Sequence, residues 1–201
     1  MARFTQLHNA GGSNGIQQRF EVAEIHVHDK YNQTTMDHDF ALLRLAKPAT
    51  IDGTTVTKPI KPADASTTVK VRTRAWVTGW GATAESSPGA VDLLGVEVPV
   101  VSNATCNKPD SYNGDILNSM MCAGNAAGGI DSCQGDSGGP LSATLPGSTE
   151  PTLIGVVSWG EGCARRLKYG VYSRVSMAAG WISSTMSSRK ASAVSAPGGT
   201  K

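Results

Sequence analysis

Residues 131–140 read DSCQGDSGGP, a loop in which three glycines surround Ser137. Glycine lacks a Cβ and readily adopts positive φ values, so such a loop lets backbone N–H groups converge beside the serine hydroxyl. Acyl transfer requires this arrangement, a nucleophile next to donors that are aimed at a developing oxyanion. A glycine-rich surface turn is the alternative for a bare Gly-x-Ser-x-Gly, but the full ten-residue string favours a nucleophile loop.

Five further segments agree with this loop in chain order. They are DFALLRL at residues 39–45, VTGWG at 77–81, MCAG at 121–124, VSWG at 157–160 and GVY at 170–172. Together these segments resemble the chymotrypsin/trypsin family of serine endopeptidases, and the likeness covers residues 16–187. The resemblance implies an all-β fold of two antiparallel six-stranded β-barrel lobes, the first of them incomplete, with a C-terminal helix.

Composition excludes several classes of protein. The 201-residue chain has 18 Lys and Arg against 16 Asp and Glu, and a net charge of +2 is too weak to favour nucleic acid or an anionic membrane as a partner. The 23 glycines indicate many tight turns, as in a loop-rich β protein. The longest apolar run, from Leu153 to Trp159, has seven residues, which is too short to span a bilayer.

The cysteines indicate an oxidising compartment. None of the 4 cysteines belongs to a Cys-x-x-Cys pair, so a zinc site or a thioredoxin-type site is disfavoured and two disulfides are the preferred interpretation. We therefore expect a secreted, extracellular protein, although the first residues of this chain carry no secretory signal. The family resemblance implies the pairs Cys106–Cys122 and Cys133–Cys163.

The pattern of strands and turns predicts four segments. Residues 1–56 are predicted to form a partial N-terminal β-barrel, and residues 57–68 an inter-lobe linker in a region that carries several prolines. Alternating apolar residues predict strands within residues 69–187, which comprise the C-terminal β-barrel and a terminal helix. Small residues, Pro and Gly predict a disordered tail over residues 188–201.

The resemblance assigns roles to three catalytic residues. Ser137 is the nucleophile, and the N–H groups of Gly135 and Ser137 form the oxyanion hole. Asp39 orients the catalytic base and offsets the charge that the base acquires. Asp37 is a competing acid two residues earlier, but only Asp39 directly precedes the apolar strand.

The same resemblance assigns a substrate pocket. Asp131 matches the acid at the base of the primary pocket of trypsin-like members, where a buried carboxylate binds a substrate Arg or Lys; an exposed loop acid is the alternative. Gly160 and Gly170 match small wall residues that keep this pocket open, and Ser158, Trp159 and Gly160 match the strand that pairs with substrate backbone.

We expect peptide or protein substrates with Arg or Lys at the cut site, and protein protease inhibitors as further partners. We also expect a monomer that requires neither a cofactor nor a metal ion.

The catalytic base is missing from the pattern. In this family the histidine precedes the aspartate by about 45 residues, which would fall before Met1. We therefore expect an N-terminally truncated serine endopeptidase that by itself turns over little substrate; the alternative is a catalytically inactive homologue that acts as a binding protein. None of the histidines present has the family's Ala-Ala-His-Cys context; they are His8, His26, His28 and His38.

Two other sets of polar residues carry expectations of their own. Family members pair a newly cut N-terminal amine with the acid just before the nucleophile, here Asp136. We therefore expect Asp136 to lack its partner, which is costly for a buried acid. His26 and His28 share one face of a strand, where a solvated face is the preferred interpretation and a grip on a metal ion is the alternative.

Overall fold

The computed structural model describes residues 3–4, 20–49 and 59–194, and most of its regular elements are short strands. The elements in chain order are β1 (Arg3–Phe4), β2 (Phe20–Val27), β3 (Ala41–Leu45), β4 (Lys61–Pro62), β5 (Arg74–Gly79), β6 (Leu94–Val101), α1 (Asn103–Cys106), β7 (Met120–Ala123), β8 (Pro140–Thr144), β9 (Pro151–Trp159), β10 (Gly170–Arg174) and α2 (Val175–Val194).

Six strands close into an antiparallel barrel in the order β5, β6, β7, β10, β9, β8 and back to β5. Alternation along β6 shows how the barrel is filled, because Val98 and Val100 are buried while the residues between and beside them are not. Burying a side chain of this size stabilises the fold by about 1.5–3 kcal/mol. The predicted all-β fold with a six-stranded barrel and a C-terminal helix is confirmed.

The described part of the first lobe is the antiparallel hairpin of β2 and β3, with β1 paired to the other edge of β2. Three apolar side chains of this hairpin are about half exposed, at Ile25, Val27 and Leu43. The predicted partial barrel of residues 1–56 stays a prediction, because residues 5–19 and 50–58 lie outside the described part of the chain.

A small apolar cluster joins the hairpin to the second barrel. Phe40, just before β3, packs with Ala63 of the linker and with Val175 and Ala178 of α2. The linker strand β4 runs parallel to β9, and the Ala63 N–H donates to a β9 carbonyl, that of Leu153, over 2.9 Å. The described part of the linker therefore packs against both lobes.

His28 is buried in this region, so the predicted solvated face is wrong for this residue. The centroid of its ring lies 4.7 Å from that of Trp181 on α2 and 4.8 Å from that of His38. Its Nδ1 accepts the Lys30 N–H over 3.1 Å, and burial, with His38 nearby, lowers the pKa of His28. The prediction failed because the helix that covers His28 comes from the far end of the chain, and nothing in the local sequence indicates it.

Helix α2 extends to Val194, beyond the end predicted at residue 187. Residues 188–194 read SRKASAV, in which Ala, Arg and Lys are good helix formers, whereas Pro and Gly first occur together at 197–199. The helix therefore includes residues 188–194, and the disordered tail stays a prediction for residues 195–201, which lie outside the described part of the chain.

The structure contains two disulfides, Cys106–Cys122 and Cys133–Cys163. They join the cysteines that the family resemblance paired. The first ties α1 to β7, and the second ties the serine loop to the segment between β9 and β10. A disulfide of this kind typically stabilises a fold by about 2–4 kcal/mol. No helix in residues 3–4, 20–49 and 59–194 combines the length and the apolar character needed to cross a membrane.

Candidate active site

The loop that carries Ser137 is a series of tight turns before β8. The Asp136 N–H donates to the Cys133 carbonyl over 3.0 Å, and the Gly139 N–H donates to the Asp136 carbonyl over 2.8 Å. Gly135 has a φ of 97°, which a residue with a Cβ rarely adopts, so the turn requires glycine there. These turns leave the Ser137 side chain exposed to solvent.

Asp136 is held by backbone donors from two segments. Its Oδ1 accepts the Gly81 N–H over 2.8 Å, and its Oδ2 accepts the Cys133 N–H over 2.9 Å. A Cβ at Gly79 or Gly81 would collide with the carboxylate, so the glycines of VTGWG permit this approach. Both oxygens of Asp136 therefore have backbone donors, and the expectation that Asp136 lacks the N-terminal amine as its partner stays a prediction. A cavity of about 330 Å³ borders the carboxylate.

Asp39 connects the first lobe to the end of β9. The Ser158 hydroxyl donates to Asp39 Oδ2 over 2.6 Å. Asp37 has other partners, because it contacts the Ser119 hydroxyl and lies 2.8 Å from Nδ1 of His38. Of the two candidate acids, Asp39 is the one that contacts Ser158. Ser158 lines a second, smaller cavity, which lies beside Ser137.

This smaller cavity has a volume of about 180 Å³. It is lined by the serine loop, the end of β9, the segment between β9 and β10 and the start of β10, so its walls come from segments that are separate in sequence. Of the other predicted site residues, Asp39 contacts the lining residue Ser158, and Gly135 lies on the serine loop itself. Most of the site residues predicted from the sequence line this cavity, namely Asp131, Ser137, Ser158, Trp159, Gly160 and Gly170.

Asp131 is the acid among the described residues that line this cavity. Its half-buried carboxylate accepts the Ser132 N–H over 2.8 Å at Oδ1 and the Ala164 N–H over 3.1 Å at Oδ2. Burial raises the pKa of Asp131 to about 6; the two N–H donors oppose this rise, and the charge of Asp136 adds to it. A partly desolvated anion of this kind favours a cationic partner, because an opposite charge lowers the free energy of the ionised form.

Gly170 lies close enough to Asp131 for a prediction about stability. An added Cβ would lie 2.5 Å from Asp131 Oδ1 and 2.9 Å from the Tyr172 hydroxyl oxygen. We expect Gly170→Ala to lower the free energy of unfolding by about 1–3 kcal/mol, because one of these side chains must shift. Urea unfolding measures the change.

Gly180→Ala is the matched control for that substitution. Gly180 is an exposed residue of α2, and nothing lies within 4 Å of a Cβ built there. Alanine at this helical position should raise the free energy of unfolding by up to about 1 kcal/mol. Equal effects of the two substitutions would contradict the close packing of Gly170 on Asp131.

Tyr112 supports the cavity wall, and the sequence analysis did not identify it. Its hydroxyl donates to the Tyr169 carbonyl over 2.6 Å and accepts the Glu161 N–H over 3.3 Å. Its ring meets the Trp159 ring edge-on, with 5.0 Å between the centroids. Burial raises the pKa of Tyr112 to about 12, so the hydroxyl stays protonated and keeps its donor role at neutral pH. A tyrosine in a turn-rich stretch carries no sequence signal for such a contact.

The described histidines have partners away from Ser137. No histidine is among the described residues that line the smaller cavity, and His8 lies outside the described part of the chain. No group of three or more potential metal-ligating side chains occurs within the described residues either. The rings of these histidines contact residues of the first lobe and of α2, as the pairs His26–Glu24, His28–Trp181 and His38–Asp37 show.

Comparisons with known proteins give matches along nearly the whole chain. A family model described as Trypsin matches residues 1–182. Trypsin-3 of Salmo salar is 41% identical over 182 residues, which cover 90% of this chain and 71% of that protein. Trypsin-1 of Astacus astacus is 43% identical over 172 residues, or 85% and 69% of the two chains. Trypsin of Xenopus laevis is 38% identical over 182 residues, or 90% and 70%.

Proposed function

This chain belongs to the trypsin family of serine proteases, and we propose that it provides the nucleophile and the specificity pocket of an endopeptidase that cleaves after Arg or Lys. The supporting observation is the cavity of about 180 Å³ that Ser137 and the half-buried Asp131 line together. A substrate residue whose cationic side chain pairs with Asp131 would place its backbone carbonyl carbon next to the Ser137 hydroxyl.

The proposed reaction runs through an acyl-enzyme. The Ser137 hydroxyl attacks the carbonyl carbon of the Arg or Lys residue, and its proton passes to a general base. The carbonyl oxygen becomes an oxyanion that accepts the N–H groups of Gly135 and Ser137. The C–N bond then breaks as the leaving amine takes the proton, and an ester remains on Ser137. Water hydrolyses this ester, which releases the carboxylic acid product and restores the hydroxyl.

The proposed selectivity depends on the charge of Asp131. Two backbone N–H groups already hold this carboxylate, so it needs little rearrangement to meet a guanidinium or an ammonium group. Gly160 and Gly170 have no side chains that would obstruct the cavity, and the segment from Ser158 to Gly160 would pair with the substrate backbone. Asp39, in contact with Ser158, would orient the base.

The general base, on this proposal, is not one of the described histidines, because none of them lines the cavity and their rings contact the first lobe and α2. A cavity that has the nucleophile and the specificity acid but no base would bind a cationic side chain and cleave slowly. For the 201-residue chain by itself we therefore propose binding with little turnover, which is also how an inactive homologue acting as a binding protein would behave.

The proposed partners and compartment follow from the family and the disulfides. The trypsin family implies peptide or protein substrates and protein protease inhibitors. We propose that the chain acts as a monomer in a secreted, extracellular setting, and the two disulfides support an oxidising compartment.

Titration with benzamidine, a small aromatic amidinium cation, tests this proposal. Because the pKa of Asp131 is raised to about 6, the carboxylate is ionised above that pH and protonated below it. The affinity should therefore be constant above about pH 7 and fall about tenfold per unit below pH 6. Calorimetry across this range measures the profile.

Benzamide, which is neutral and nearly the same shape, is the control ligand for the titration. It should bind weakly at every pH, because Asp131 gains nothing from a neutral amide that lacks the cationic charge. A benzamidine affinity that is independent of pH, or equal to that of benzamide, would contradict the proposed role of Asp131.

A further inference from the structure

A pair of charged residues outside the cavity connects two loops across its rim. Glu85 lies between β5 and β6, and Arg165 lies between β9 and β10. Arg165 donates from Nε to Glu85 Oε1 over 2.7 Å and from Nη2 to Oε2 over 2.8 Å. Two parallel bonds of this kind fix the relative orientation of a guanidinium and a carboxylate, which a single contact does not.

Glu85 also holds the backbone of the cavity wall. Its Oε1 accepts the Cys163 N–H over 2.8 Å, so one carboxylate receives three N–H donors from a single short segment. These bonds, first those from Arg165 and then that from Cys163, lower the pKa of Glu85 to about 2. A Cβ at Gly162 would collide with both Glu85 and Arg165, so glycine at this position permits the contact.

The next amide along the chain reaches the specificity acid. Cys163 lines the cavity and is bonded to Cys133 of the serine loop. Ala164 follows it, and the Ala164 N–H donates to Asp131 Oδ2 over 3.1 Å. Two successive amides are thus held by two carboxylates, that of Glu85 outside the cavity and that of Asp131 inside it.

Ala164 is in a backbone conformation that has to be held in place. Its φ of 54° lies in the left-handed region, which costs an alanine on the order of 1–2 kcal/mol relative to an ordinary conformation. The Ala164 carbonyl accepts the Gly129 N–H over 2.9 Å, which fixes one side of this residue. The bonds from Glu85 to Cys163 and Arg165 fix the residues on either side of Ala164.

We propose that Glu85 is a positioning residue for cation binding, and that its bonds to Arg165 and to the Cys163 amide keep the Ala164 N–H on the Asp131 carboxylate. This inference rests on the proposed function, in which Asp131 receives the Arg or Lys side chain. Without Glu85, the segment 162–165 relaxes from its left-handed turn, and Asp131 loses one of its two backbone donors.

The loss of that donor has a defined consequence for Asp131. The Ala164 N–H stabilises the ionised carboxylate, so its removal raises the pKa of Asp131 further above its ordinary value. The titratable groups that face Asp131 are Asp136, Tyr112 and Tyr172, and burial keeps both phenols protonated at neutral pH. The pH midpoint of cation binding therefore measures the pKa of Asp131, including the effect of its backbone N–H donors on that pKa.

The experiment is the benzamidine titration applied to the 201-residue chain and to its Glu85→Ala variant. We expect the midpoint of the pH profile to rise by about 0.5–1 unit and the affinity near pH 5 to fall about three- to tenfold. The difference should narrow above about pH 8, where Asp131 is ionised in both proteins. Glu85 is exposed, so the variant should fold, and circular dichroism checks this.

Four further variants separate this role from a general effect of an ion pair. Glu85→Gln keeps an oxygen for the Cys163 amide but loses the charge that holds Arg165, so it should shift the midpoint less than Glu85→Ala. Arg165→Ala should also give a smaller shift, and combining it with Glu85→Ala should add nothing. Glu97→Gln removes a comparable exposed ion pair, that with Arg74 across β5 and β6, and should leave the profile unchanged.

Asp131→Asn in the same titration distinguishes the two proposals. If the chain does not bind benzamidine, or if Asp131→Asn binds it equally well, the proposed function fails and this inference fails with it. If binding depends on Asp131 but Glu85→Ala has an unchanged midpoint and affinity, the positioning role of Glu85 is wrong and the proposed function stands.

Discussion

We expect the 201-residue chain and its Ser137→Ala variant to hydrolyse an N-acyl-arginine ester at the same rate, on the order of 10⁴-fold or more below a family member with a working triad. The reason is the absence of a histidine among the described residues that line the cavity. A serine hydroxyl without a base is a poor nucleophile, and members of a catalytic triad act as a unit, so that losing a second member costs little more.

Steady-state and burst kinetics with a chromogenic arginine ester measure this difference. Ser183→Ala is the control, because Ser183 is an exposed serine of α2 that does not line the cavity. A burst of product that requires Ser137 and proceeds at ordinary protease rates would show that the described chain contains or recruits a working base.

Asp131→Asn should weaken benzamidine binding by roughly 30- to 1000-fold near pH 8, which corresponds to about 2–4 kcal/mol for the loss of one partner of a desolvated charge pair. The wild-type carboxylate is fully ionised at this pH, because its pKa is raised only to about 6. The amide has the same shape but cannot neutralise an amidinium, and one of its two polar atoms faces a backbone N–H that it cannot accept.

Asp110→Asn is the matched control for this substitution, since Asp110 is exposed and does not line the cavity. Its affinity for benzamidine should equal that of the wild type within about twofold, the scale of a distant surface charge at ordinary ionic strength. A loss of less than about threefold in Asp131→Asn would mean that the cation does not pair with Asp131.

Short sequence segments predicted much of the fold. The serine loop and the family motifs predicted the all-β fold and both disulfide pairs, and these are confirmed. The alternation in Val96, Val98 and Val100 predicts strand β6, because side chains on one face of a strand recur every second residue. Patterns of this kind are local, so a single sequence contains them.

The features that the sequence did not reveal depend on contacts between distant segments. His28 is buried by Trp181 from a helix near the end of the chain, and Asp136 finds a donor in Gly81. Glu85 and Arg165 meet across two loops, and neither residue lies in a motif. Such pairs depend on how loops fold over the barrel, and charged residues in surface turns look alike in sequence whether they are paired or not.

We propose above all that one cavity binds a substrate residue at two points, with its cationic side chain paired to Asp131 and its backbone carbonyl next to Ser137. A crystal structure of the chain with N-acetyl-arginine amide tests this most directly, because slow turnover should leave the ligand intact. We expect a guanidinium nitrogen within about 3 Å of an Asp131 carboxylate oxygen and a carbonyl carbon within about 3.5 Å of Ser137 Oγ. A guanidinium bound outside the cavity, or a carbonyl turned away from Ser137, would contradict it.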